Sequence, residues 1–382
     1  MKCAVVADTI LVPKDKDFYS MTLTYELLSK RYLKYYDELY LISRVADKNS
    51  IKGDISGYKI TNGNNVYANP IEEYSKVSDA IKKRKVIENK IYSVISKCDV
   101  VIIRLPNVLG LIAYSLCKKH NVKFLVEMLA CPFDSYWNHQ NKFGKVLAPI
   151  MYYLNKKAIK NSPKVLYVTD EFLQNRYPTN GKSINCSDVV LNGIDSKIIE
   201  KRISKIKKYN VEKELRIVTT ANVELKIKGH EYVIRALALS RNKNIKYYLI
   251  GNGDSTRLKN IAQKYNVSNQ VVFVGSLPHN QVFKKMEEMD LYIQPSLQEG
   301  MPRALLEAMS IGLPCIGSNV GGIPELLGKE YIFRKKDYKA IASILNNINA
   351  AYLEDNSNKC VEKIKKFDID VLEKKRDSFY KL

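Results

Sequence analysis

Two glutamates eight positions apart, Glu299 and Glu307, bracket Gly300, Met301, Pro302 and Arg303. Eight helical residues rise about 12 Å. That is wider than the roughly 5–5.5 Å of a retaining glycosidase pair and at or beyond the upper limit of an inverting one. The acids are therefore expected to grip opposite ends of one long ligand rather than to share one scissile bond. Pro302 suits the first position of a helix, where its missing amide costs nothing. The free N–H groups of that turn and the helix dipole favour an anion, and Gly300 lets a ligand come close to the backbone. A nucleotide sugar carries its parts in that order: sugar, diphosphate, ribose, base. Glu299 would meet one hydroxyl-bearing group and Glu307 another, with the diphosphate between them.

The flanking sequence supplies elements to hold such a set. Asp290 to Ser296 reads as a buried strand ending in a turn, Gly312-Leu313-Pro314 stops the helix, and Cys315 to Ser318 reads as the next strand. The same alternation of strand and helix runs through both halves. In the first half, strands are expected at Cys3–Ala7, Glu38–Ile42, Asp99–Arg104, Lys123–Glu127 and Lys164–Thr169. Helices are expected over Ser20–Tyr36, about Ser75–Lys97, Leu109–His120, a stretch ending near Asn161, and a short piece from Asp170. The pattern restarts at Leu215–Thr220, after a charged, core-poor segment from Ser196 to Glu214. A last helix is expected over Glu362–Tyr380. This is an α/β chain with two doubly wound, Rossmann-like parallel-sheet domains facing across a cleft, where ligands sit at the carboxyl ends of the strands.

The run from Glu299 to Glu307, followed by Gly321-Gly322-Ile323-Pro324-Glu325, resembles the signature of the family 4 retaining glycosyltransferases of GT-B fold. Lys228-Gly229-His230-Glu231 is similar to the family's Lys-Gly step, Leu249 to Gly253 to its strand-end glycine loop, and Val272 to Gly275 to its next strand. In the first half the resemblance rests on the order of elements and on Asn192-Gly193-Ile194-Asp195 near the junction. It implies an acceptor-binding domain over 1–195, a nucleotide-sugar-binding domain over 196–355 and a terminal helix, 356–382, packing back on the first domain. It also implies transfer of a sugar from a nucleotide-sugar donor to a saccharide or lipid-linked saccharide, with retention, in surface polysaccharide biosynthesis. Neither a metal nor a cofactor is implied.

Carried over position by position, Glu299 and Lys228 are the expected catalytic pair, Lys228 stabilising charge on the leaving diphosphate. Glu307, Gly300, Met301, Pro302, Arg303, Gly251 and Val274 are expected at the donor. The family has an Arg six positions before the lysine, where this chain has Asn222. Lys226 is the nearest replacement, although a lysine does not reproduce a bidentate guanidinium. On the acceptor side Glu127 stands where the family commonly has a His, and Asp134, Trp137 and His139 follow in a loop.

Composition bounds the alternatives. A chain of 382 residues is too long for one ordinary core. Seven cysteines without CxxC spacing point to reduced thiols, and four scattered histidines form no metal-ligand cluster. The opening run Met1 to Asp8 is too short for a signal-peptide core, and nothing approaches a transmembrane length. A cytoplasmic protein is expected, peripheral on the inner face of the membrane. The net charge of +22 allows attraction to anionic lipid, phosphorylated substrates or nucleic acid, but no nucleic-acid module is present. Ile81 to Lys85 and Lys145 to Lys160 combine lysines with apolar residues and are the expected membrane-facing segments. The competing functions are a nucleotide-sugar epimerase of similar architecture and a nonenzymatic basic protein that binds nucleic acid.

Overall fold

The computed structural model describes residues 1–46, 57–72, 77–138, 143–189, 191, 193, 195–210 and 212–381. The first half builds one sheet from β1 (Lys2–Lys14), β2 (Asp17–Ser20), β3 (Glu38–Val45), β4 (Lys59–Ile60), β5 (Val66–Ile71), β6 (Val100–Leu105), β7 (Phe124–Met128), β8 (Lys164–Tyr167) and β9 (Lys182–Asn185). Its parallel part runs β5-β3-β1-β6-β7-β8-β9. Cys3 to Val6 and Val100 to Ile103 are almost wholly buried, as expected of parallel strands covered on both faces. The second half builds another parallel sheet from β10 (Leu215–Thr220), β11 (Ile245–Ile250), β12 (Val271–Gly275), β13 (Leu291–Gln294), β14 (Cys315–Ser318) and β15 (Ile332–Phe333), in the order β12-β11-β10-β13-β14-β15. Each sheet has a point where the strand order reverses, between β1 and β6 and between β10 and β13. Ligands of doubly wound sheets bind in the crevices at such points.

Each sheet has its own core. The second core continues through Leu353, Cys360, Ile364 and Phe367, whereas Leu372, Phe379 and Tyr380 belong to the first. The chain therefore returns to the first domain at Asp368, whose side chain caps the helix Ile369–Tyr380 through the Asp370 N–H.

Several elements differ from expectation. The single helix over Ser20–Tyr36 is instead a short helix, Tyr25–Leu28, continued by a π turn, Ser29–Leu33. β1 does not end at Ala7: it runs to Lys14 and turns back on β2, with Asp15 in the left-handed conformation that tight turns need. The helix expected to Lys97 is broken at Lys83 and ends at Ile95, and its first residues lie outside the described ones. The last helix is likewise two, Ala350–Ile364 and Ile369–Tyr380. The charged segment after Ser196 forms the amphipathic helix Ser196–Lys207, which buries Arg202 beneath the carbonyls of Met286, Glu287 and Met289. β4, β5 and β9 were not expected at all.

Candidate active site

The loops after β10 and β13, which flank the reversal in the second sheet, carry Lys228 and Glu299. They meet because Gly229 has φ 74° and no side chain: a Cβ there would stand 1.9 Å from the Pro295 carbonyl oxygen. Lys228 Nζ donates to Glu299 Oε1 at 2.8 Å. The same oxygen accepts from Ser296 Oγ at 2.7 Å and Gln294 Nε2 at 3.1 Å. Three donors thus fix a carboxylate that is only 12 % exposed, beside a lysine 25 % exposed. Among the described residues Lys228 commits one of its three N–H groups, to Glu299. Gln294 and Ser296 were missed from the sequence; two polar residues inside the apolar run Leu291 to Ser296 were the available signal. Behind the lysine loop, buried His230 bonds the Tyr247 hydroxyl at 3.1 Å and the Asn222 carbonyl at 3.3 Å. Burial pulls its pKa down to about 4, so the ring is neutral at ordinary pH and acts as a strut.

The helix opens one residue later than expected. Pro302 is its N-cap and Arg303 to Ser310 its body, with Arg303 exposed in the first turn. Glu307 lies on this helix, 12 % exposed, with Oε1 at 3.1 Å from His279 Nε2, a partner the sequence did not indicate. Gly321 has φ 57°, and a Cβ there would meet the Glu299 carbonyl oxygen at 2.1 Å, so the Gly321-Gly322 turn lies directly against the glutamate loop. Gly322 N–H bonds the Gly300 carbonyl at 2.8 Å. Gly251 closes β11, donating to Gly275 at 2.9 Å, and half-buried Val274 lies at the end of β12.

Asn222 does not stand free as a ligand group. Its Oδ1 accepts from the Glu224 and Leu225 N–H groups, and its Nδ2 donates to Asn252. It therefore shapes the turn before Lys228 and supplies no cation. Lys226 is exposed in the short 3₁₀ turn Lys226–Lys228.

The two domains are joined at this place. Met301 packs against both cores, and a Cβ on Gly300 would stand 2.6 Å from the Leu129 carbonyl oxygen at the end of β7. Gln298 bonds Ser135 at 3.1 Å and Asn138 at 3.3 Å. The Glu325 carboxylate accepts backbone N–H groups from Asp170, Glu171 and Phe172 at 2.5, 3.1 and 2.6 Å. It thereby caps the first-domain helix Phe172–Arg176 from the second domain.

The acceptor-side expectations fare unevenly. Glu127 is a buried structural anion and presents no carboxylate to a ligand. Its Oε1 accepts from the hydroxyls of Tyr32 at 2.8 Å and Tyr380 at 2.5 Å, and its Oε2 accepts from Arg104 Nε at 2.9 Å. Burial raises its pKa, but Arg104, Arg31 and the two hydroxyls outweigh burial and hold the carboxyl below its ordinary value. Asp134 pairs with Arg176 at 3.2 Å. Trp137 is half exposed and stacked on Phe133 at 5.3 Å. His139 lies outside the described residues. No group of His, Cys, Asp and Glu among the described residues could hold a metal ion.

Residues 201–367 match the model of the family described as glycosyl transferases group 1. The chain is 33 % identical over 376 residues to Protein CapJ of Staphylococcus aureus, covering 96 % of this chain and 92 % of that one. It is also 33 % identical over 143 residues to the amylovoran biosynthesis glycosyltransferase AmsK of Erwinia amylovora, covering 34 % of this chain and 35 % of the other. Among solved structures, Anabaena Alr3699/HepE in complex with UDP superposes with a TM-score of 0.62 over 100 % of both chains at 16 % identity. With a relative this similar over nearly its whole length, the chain belongs to the group 1 glycosyltransferases, enzymes here built on the GT-B fold.

Proposed function

We propose that this glycosyltransferase takes its sugar from a nucleoside diphosphate donor and transfers it, with retention, to a saccharide or lipid-linked saccharide in polysaccharide biosynthesis. The observation that carries the reading is the Lys228–Glu299 pair at the strand-order reversal, beside the helix N-terminus at Arg303. Polysaccharide biosynthesis is supported by the name of AmsK, and a nucleoside diphosphate by the ligand of Alr3699/HepE. In this reading the bond between the anomeric carbon and the diphosphate oxygen breaks while the acceptor oxygen bonds the same face of the sugar. The acceptor's proton leaves with the departing diphosphate. Lys228 and the N–H groups of the helix's first turn stabilise the growing negative charge. Glu299, locked by three donors, orients the sugar, and Glu307 holds the ribose. The test is a transfer assay over a panel of nucleotide sugars and saccharide acceptors, with the anomeric configuration of the product read by NMR. Retention is expected; an inverted product would overturn the stereochemical part, and donor use without any acceptor dependence would overturn transfer.

The membrane part of the proposal rests on the helix Phe143–Lys160. It buries Gly144, Ala148, Met151, Asn155, Ala158 and Ile159, yet leaves Phe143, Val146, Ile150, Tyr153 and Leu154 exposed at spacings of three and four. Exposed Lys145, Lys157 and Lys160 accompany that apolar stripe, and each lysine near an anionic surface adds about 1 kcal/mol. Such a face suits the boundary of an anionic bilayer, whereas no helix of the described residues is long and apolar enough to cross one. The segment 81–85 fits this picture less well, since Arg84 is paired with Glu88 and Lys83 lies 3.9 Å from Glu72. Cosedimentation with phosphatidylglycerol vesicles is expected at low salt, weakened by high salt and by Ile150→Glu. Absence of binding at low salt would sink the membrane proposal alone.

A further inference from the structure

A cavity of about 600 Å³ lies where β1 and β6 diverge, the reversal point of the first sheet. Leu129 lines it, and Leu129 is the residue against which Gly300 packs, so the cavity adjoins the loop that carries Glu299. Arg303 reaches it from the second domain. Its wall holds two arginines that the proposed transfer chemistry leaves unused. Arg31 and Arg104 are only 9 % and 7 % exposed. A guanidinium carries five N–H donors. Among the described residues Arg31 makes one hydrogen bond, to the Asp188 carbonyl at 3.0 Å, and Arg104 makes one, to Glu127 at 2.9 Å. No nitrogen of either is sealed in the protein without a partner, and both residues line the cavity.

The charges around it do not balance. Arg31, Lys59, Arg104 and Arg303 line the cavity with Asp8 and Asp188, and buried Glu127 pairs with Arg104 behind the wall, so the excess positive charge is that of Lys59 and Arg303. Asp8 is already paired with Arg44, and the Asp188 carboxylate lies 3.8 Å from Arg104. Lys59 and Arg303 are exposed and form no ion pair among the described residues. Two planar donor forks match an oxyanion in geometry as well as charge. A neutral sugar would leave the remaining guanidinium donors and the charges of Lys59 and Arg303 without an anion, which favours a charged ligand.

We propose that the acceptor carries an oxyanion, a phosphate or a carboxylate, which seats on Arg31 and Arg104 with Lys59 and Arg303 on the exposed side. This rests on the transferase reading above, which puts the acceptor in the first domain. The experiment is a ligand-observed NMR titration of the full chain with glucose 1-phosphate, glucuronate and methyl glucoside. At least one charged probe should bind tenfold or more tightly than methyl glucoside, and the better of the two identifies phosphate or carboxylate as the group. Arg31→Gln should weaken that binding about tenfold. Lys59→Glu, at an exposed site where folding is safe, should weaken it about threefold. Equal binding of all three probes would overturn the proposal. So would a loss that follows Lys228→Ala but not Lys59→Glu, because the anion would then occupy the diphosphate site. The readout is binding and not transfer, so a failure of nucleotides to bind would count against the transferase reading and leave this result readable.

Discussion

Replacing Lys228 with alanine is expected to lower the turnover of sugar transfer about 10²–10³-fold, the usual consequence of removing one preorganised donor from developing charge. The lysine acts in the proposed mechanism when the diphosphate departs, so kcat should fall more than KM rises. Folding should be little affected. Glu299 keeps its bonds to Ser296 and Gln294, and Lys228 is a quarter exposed and can be lost without leaving a sealed, unpaired group. Lys228→Arg should recover part of the rate, since it restores the charge with a different shape. A steady-state comparison of the three proteins, with thermal unfolding as control, checks this. Unchanged turnover in Lys228→Ala would make the lysine a mere partner of Glu299.

Glu127→Gln is expected to have the largest effect on stability, costing about 3–5 kcal/mol, the range for breaking a buried ion pair by removing one partner. The chemistry of the site leaves glutamine no good orientation. With its NH₂ toward Tyr32 and Tyr380 those hydroxyls can accept but their O–H groups lose their acceptor, and with its NH₂ toward Arg104 two donors face each other. Arg31 and Arg104 would also lose the negative charge that compensates them. The sign of the pH dependence follows from the lowered pKa of Glu127. A carboxyl with a lower pKa in the folded state contributes stability that is fully present above its ordinary value of 4.5 and is lost as pH falls through the folded value. The gap in unfolding midpoint between wild type and Glu127→Gln should therefore be widest near neutrality and close as the pH drops below about 4.5. A gap that stays constant to pH 3 would mean that the ionised carboxylate is not what stabilises this core.

How far the sequence disclosed all this depended on the range of the interaction concerned. β10 was legible residue for residue because five of its six positions, all but the exposed Arg216, are apolar or β-branched and are bounded by a charged stretch and a turn. The Glu299 to Glu307 run was legible because its spacing and its glycine and proline are local. Gln294 and Ser296 were hidden by their small number within an apolar strand. Glu127 was misjudged for a different reason. A charged residue at a strand end reads as surface when its partner is Tyr380, 253 positions away on a helix that crosses between domains. Arg104 offered a hint, as a charged residue inside the fully buried run Val100–Leu105. Arg31 offered none, because the periodicity around it suggested a regular helix where a π turn rotates the side chains onto new faces.

The central claim is that a nucleoside diphosphate binds beside Lys228 and Glu299 with its ribose on Glu307. Calorimetric titration of UDP, GDP and ADP into the chain, with a chelator present throughout, tests it most directly. One of these nucleotides should bind at a single site without any divalent cation, and Glu307→Gln should weaken it about tenfold, the loss of a charge-assisted hydrogen bond. Strict dependence on magnesium or manganese, or binding unaltered in Glu307→Gln, would contradict the account.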